Sequence, residues 1–182
     1  MRIKDYIEQN WNDCFFDVSF SIKGYSNRLE AIMNANPALA KDLAPILKCE
    51  TLSRQKVFDW VKKDSYQGFL AAMLWGGIST VDSKKKKSNA ERAFSIERKN
   101  VEGVLTKTVE FLKQGKEGEA FDYLYNGKGK IDGIGTSYLT KIMYFFSPGE
   151  PDESYLRVST GALKMTIPVC GIPWGTSFSY SR

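Results

Sequence analysis

The chain contains no histidine at all. That absence removes serine–histidine and cysteine–histidine catalysis, and with them most zinc sites, because imidazole is the usual base in the first and a preferred ligand in the second. Cysteine is scarce. Cys14, Cys49 and Cys170 are scattered, odd in number and without paired spacing, which argues against a disulfide framework. No Cys-x-x-Cys occurs, so zinc ribbons and iron–sulfur clusters are disfavoured as well. No apolar run reaches the roughly eighteen residues a membrane span requires. The start, Met1-Arg2-Ile3-Lys4-Asp5-Tyr6-Ile7-Glu8, carries acids and lacks the apolar core of a signal peptide. The expected location is the cytoplasm, near the nucleoid, or the nucleus. Any chemistry must rest on Asp, Glu, Lys, Tyr, Ser or Cys.

What remains is a chain of 182 residues, 42% of them hydrophobic, enough for one domain with a real core. The formal net charge of +5 mildly favours a polyanionic partner. A soluble surface with many lysines explains the charge equally well.

Periodicity reads mainly α. Ile3, Ile7 and Trp11 suggest a short helix over residues 2–12. Phe16, Val18, Phe20 and Ile22 alternate with polar residues as one short N-terminal β element, ended by Gly24. Ser26 is expected to cap a helix to about Asn34, Pro37 to open another, and Ser53 to cap a third carrying Val57, Phe58 and Trp60. Tyr66 to Trp75 reads as a buried helix stopped by Gly76-Gly77. Residues 79–92, with Lys84-Lys85-Lys86-Lys87, read as a solvated polar loop, with phosphate contact as the lesser alternative. A long helix follows through Val101, Leu105 and Leu112, and a short one covers Glu119 to Tyr125. From Ser137 to about Phe146, Leu139, Ile142, Met143 and Phe146 share a core face, while Ser137 and Lys141 lie one turn apart on another. One helical domain is expected over residues 1–158, with 159–182 as an irregular tail packed on it.

The most specific pattern is the turn Ile131-Asp132-Gly133-Ile134-Gly135 between two helices, a helix–hairpin–helix. Gly133 and Gly135 let the backbone turn tightly and approach a partner. Ile131 and Ile134 pin the turn to its helices. The first amides of the following helix are then left without intrahelical acceptors, a ready site for an anion. A DNA phosphate fits it, with Lys130, Thr136 and Lys141 as neighbours. Such contacts position a duplex without reading its sequence. A glycine-containing helix–helix turn with no ligand is the plain alternative.

This pattern resembles the helix–hairpin–helix DNA glycosylases, in the branch that looks like 8-oxoguanine glycosylase. The resemblance covers about residues 117–158, including Pro151-Asp152-Glu153-Ser154-Tyr155-Leu156-Arg157-Val158, which is similar to the family's aspartate segment. It implies double-stranded DNA as partner, Asp152 as the essential carboxylate and no cofactor, a monovalent cation at the hairpin carbonyls being the one candidate. The family's lyase members carry a lysine two residues after the second hairpin glycine; this chain has Ser137 there. The resemblance therefore points to a monofunctional enzyme that removes a damaged or modified base with water. Asp152 also follows Ser137 by about three residues fewer than in the family, which a shortened loop explains.

On this reading Asp152 stabilises the developing positive charge on the sugar and activates the nucleophile. Its plain alternative is an N-cap for a helix beginning at Glu153. Lys141 is read first as a phosphate contact or a solvated lysine, and second as a displaced amine nucleophile or pocket wall. The turn Gly76-Gly77-Ile78-Ser79 sits where related enzymes insert residues into the duplex, with Gly77 and Ile78 as wedge candidates and Trp75 better suited to the core. Trp174, Phe178 and Tyr180 suit either base stacking or the cover of apolar surface. A non-catalytic helix–hairpin–helix DNA-binding protein is the alternative function, and a helical protein–protein interaction domain the next.

Overall fold

The computed structural model describes residues 19–82 and 87–149. Among these it is mainly helical, with eight helices and one two-stranded sheet. The expected helix over residues 2–12, Phe16 and Val18 of the expected strand, and the C-terminal tail lie outside the described residues.

The β element is short. Strand β1 (Phe20–Ser21) pairs antiparallel with β2 (Thr51–Leu52), Phe20 opposite Leu52 and Ser21 opposite Thr51. Ile22 follows in the core, 2% exposed. Gly24, at φ 89°, turns the chain into helix α1 (Tyr25–Ala35) and is its N-cap. This corrects the expected cap at Ser26, which is the helix's second residue. A left-handed glycine changes chain direction without a Cβ penalty, so no side-chain cap is required there.

Helix α2 (Pro37–Leu47) opens as expected. Pro37 occupies the first turn, where its missing N–H costs nothing, and Asn36 accepts the Leu39 amide at 3.1 Å. Ser53 caps α3 (Arg54–Lys63) by accepting the Lys56 amide at 3.2 Å. Asp64 then caps α4 (Ser65–Trp75) through the Gln67 amide at 2.9 Å. The two helices meet closely at Gly68, where a Cβ would fall 2.6 Å from Val61 Cγ2.

Helix α4 is the centre of the fold. Every residue from Gly68 to Trp75 is buried, which is why its sequence is apolar all round rather than striped. Phe69 stands edge-on to Phe94, and Trp75 stands edge-on to both Phe20 and Phe145. Truncating a ring such as Phe69 is expected to cost about 3–5 kcal/mol.

The expected loop over residues 79–92 holds a short helix, α5 (Asn89–Phe94). Ser88 accepts the Glu91 amide at 3.1 Å, and Ala90, Ala93 and Phe94 are buried. The Ser-x-x-Glu spacing is a capping-box signature that the preceding lysines obscured. Helix α6 (Arg98–Lys113) buries Val101, Leu105, Thr108 and Leu112 along one stripe. Arg98 at its start binds Asp42 at 2.9 Å, Glu102 at 2.8 Å and Asp64 at 2.5 Å, tying α2, the cap of α4 and α6 together. Helix α7 (Glu117–Tyr125) and helix α8 (Thr136–Phe146) enclose the hairpin.

Candidate active site and nucleic-acid interface

The hairpin is anchored from below and open above. Ile131 is 2% exposed and Ile134 9%, so both are buried in the core. Gly135 caps α8 in an extended conformation with no side-chain cap. The N–H groups of Gly135, Thr136 and Ser137 have no acceptor among the described residues. Gly135, Thr136 and the neighbouring Lys130 are exposed. The start of α8 therefore presents unsatisfied donors and the positive end of a helix dipole to solvent.

The two hairpin glycines serve different purposes. Gly133 has φ 81°, and a Cβ there would meet the Asn89 carbonyl, with Arg92 Cβ at 3.0 Å and the Ala93 amide at 3.1 Å. Its left-handed φ and its packing against α5 both call for glycine, so the expected tight turn is present and the surface it approaches closely is α5. Gly135 is the reverse case. Nothing lies within 4 Å of its Cβ position, so its open side can admit a close partner.

Lys141 is the largest departure from expectation. It is buried, 4% exposed, rather than displayed at the surface as a phosphate contact or solvated lysine. Its Nζ donates to Ser137 Oγ at 3.1 Å and to the Ser137 carbonyl at 3.2 Å, and lies 4.8 Å from the centre of the Tyr138 ring. Burial strips water from the ammonium and lowers its pKa from 10.5 to about 8. Gly76 makes the space: a Cβ there would lie 2.9 Å from both Lys141 Cδ and Cε, and 3.0 Å from Tyr138 Cε1. The first residue of the turn after α4 thus faces the first turns of α8.

The same turn decides the wedge candidates. Gly77 is exposed at its tip, with φ 70° and open space around its Cβ position. Ile78 is 1% exposed, and its carbonyl accepts the Tyr25 hydroxyl at 3.1 Å. Ile78 therefore belongs to the core, and the expectation that it inserts into a duplex is corrected on that ground. Trp75 packs in the core as its sequence context suggested.

Sequence reasoning missed two partners. Tyr138, half-buried on α8, is pushed above its ordinary pKa, first by burial and second by Tyr25 beside it. Arg92 pairs with Asp132 in the hairpin at 3.0 Å. The Asp132 link has no local sequence signal, since the two residues are 40 apart. Asp152, Trp174, Phe178 and Tyr180 lie outside the described residues. Among the described residues no cluster of acidic, cysteine or histidine side chains is arranged to hold a metal, and no helix is long and apolar enough to cross a membrane.

The helical body and the hairpin both fall within the span that the family comparison matches. A family model described as "Putative 8-oxoguanine DNA glycosylase OGG-like protein" matches residues 21–157. The chain belongs to this OGG-like family. Comparison with the curated proteins and with the solved structures finds no match. The matched span of this OGG-like chain takes in the helical body from Ser21, the hairpin, Ser137, Lys141 and Asp152. It reaches well upstream of the hairpin-to-aspartate segment on which the sequence resemblance rested.

Proposed function

We propose that this chain is a DNA glycosylase that takes a damaged or modified base out of duplex DNA and removes it by hydrolysis. The observation that carries the reading is the exposed, uncapped start of α8 in a chain of the OGG-like family. The amides of Gly135, Thr136 and Ser137 bind a backbone phosphate, with Lys130 adding charge. The target nucleotide leaves the stack. Its C1′–N bond breaks, and the base departs with the electron pair and takes up a proton. The Asp152 carboxylate stabilises the cationic sugar and accepts a proton from the water whose oxygen bonds to C1′. With Ser137 where a lysine nucleophile would stand, water is the default attacker.

The test is incubation with duplexes bearing different damaged bases, followed by alkali to cleave at abasic sites. Base release by the wild type and its loss in Asp152→Asn, with duplex binding retained, support the proposal. Duplex binding with no release from any substrate favours the non-catalytic DNA-binding reading.

One observation favours a second reading. The Lys141 amine has a lowered pKa and is hydrogen-bonded to Ser137, so a useful fraction is neutral near pH 8. On that reading the amine adds to the C1′ aldehyde of the abasic product and expels water to give an imine. Loss of the C2′ proton then breaks the C3′–O bond, and the oxygen leaves with the downstream strand as its 5′ phosphate. Borohydride trapping on a pre-formed abasic duplex tests it. A covalent adduct that disappears in Lys141→Met supports lyase action, and absence of an adduct leaves water as the nucleophile.

A further inference from the structure

The hairpin carries a carboxylate where phosphate binding gains nothing from one. Asp132 lies between Ile131 and Gly133, with its side chain 69% exposed. Its Oδ1 accepts the Gly133 N–H at 2.8 Å and Arg92 Nη1 at 3.0 Å. Arg92 belongs to α5, and its Nη2 donates to the Asn89 side chain. The Asn89 carbonyl and Ala93 amide are also the surface on which Gly133 sits. Backbone packing therefore already holds the hairpin to α5. An ion pair this exposed adds only about 0–1 kcal/mol to such a contact. Its larger consequence is electrostatic. A negative charge stands a few residues from the open amides of Gly135, Thr136 and Ser137, and Arg92 offsets part of it.

We propose that Asp132 limits the affinity of the hairpin for the phosphates of undamaged duplex DNA, and that Arg92 sets the strength of that limit by partly neutralising it. The inference rests on reading the hairpin as the phosphate-contacting element. The physical logic is that an enzyme searching for rare lesions must leave intact backbone quickly. Non-specific affinity is almost wholly electrostatic, so one carboxylate at the contact shifts it directly. The substitution is free of structural cost in one direction, because an asparagine at position 132 still offers an oxygen to the Gly133 amide.

The experiment is fluorescence anisotropy of an undamaged duplex with the full chain, at about 50 mM and about 200 mM salt. Asp132→Asn is expected to bind roughly fivefold tighter at low salt, the factor for one unit charge at close range in water, and the gain should shrink at high salt. Arg92→Gln should bind more weakly, Arg92→Lys should stay near wild type, and Asp132→Asn combined with Arg92→Gln should return towards wild type. Opposite signs for the two single variants separate this from a mere latch, in which both weaken binding and lower the melting temperature together. Asp132→Asn binding equal to or weaker than wild type overturns the proposal while leaving the DNA reading intact. A wild-type chain that fails to bind any duplex overturns both.

Discussion

The Nζ of Lys141 lies 3.1 Å from Ser137 Oγ, one helical turn back along α8. The Lys141 amine is thus turned inward, onto the serine that stands two residues after the second hairpin glycine. Gly76 leaves the room for its aliphatic stem. Lys141 thereby links the α4 turn to the start of α8.

The buried amine makes stability depend on pH. Its folded-state pKa, about 8, lies below the unfolded value of 10.5. Between those values the unfolded chain holds a proton that the folded chain has released, so stability rises with pH across that window. Below it the buried ammonium costs stability. Lys141→Met keeps the stem and removes the cost, so its urea midpoint should exceed wild type at pH 7, with the gap narrowing by pH 10. Titrating tyrosines act on both proteins and cancel in the difference. A gap that does not change with pH would show that Lys141 is not desolvated.

The two hairpin glycines should separate stability from binding. Gly133→Ala forces a left-handed residue against Asn89 and should cost about 1–3 kcal/mol. Gly135→Ala, with φ −96° and open space, should change stability by less than about 0.5 kcal/mol while weakening duplex binding. Thermal melts and anisotropy on both variants check this. Equal thermal losses would contradict the assignment.

Ile78 should behave as core. Ile78→Val is expected to lose about 0.5–1.5 kcal/mol of stability with base release unchanged. Loss of release in a fully folded Ile78→Val protein would restore its role as a wedge.

Salt dependence distinguishes the two lysines of the hairpin region. Each phosphate contact contributes roughly −0.9 to the slope of log K against log salt. Lys130→Gln should reduce the slope magnitude by about that amount, because Lys130 is exposed and stands just before the hairpin in the chain. Lys141→Met should leave it unchanged, because its amine is buried. A reduced slope for Lys141→Met would mean the side chain swings out to the backbone in the complex.

Much of this was legible locally. Alternation around Phe20, the proline opening α2, the Ser53 cap, the apolar run of α4 and the stripe of α6 all follow from short-range rules. Helix α5 was legible too, through Ser88 and Glu91, but four lysines beside it outweighed a short capping signal. The hairpin was readable because its glycines and isoleucines fall at fixed spacing. Lys141 was misread because its own helix places it off the main apolar stripe, and only a glycine 65 positions earlier in the chain explains its burial.

By itself, then, the sequence determined the helical class, the position of the hairpin, the absence of histidine chemistry and the presence of a serine, Ser137, two residues after the second hairpin glycine. These are local matters of composition, spacing and backbone preference. The tertiary structure decided which glycine meets α5 and which stays open, that Ile78 is core, that Asp132 faces Arg92, and that Lys141 loses its water. Each of those depends on which distant element packs against the residue, and burial and charge pairing come from such packing rather than from neighbours in the chain.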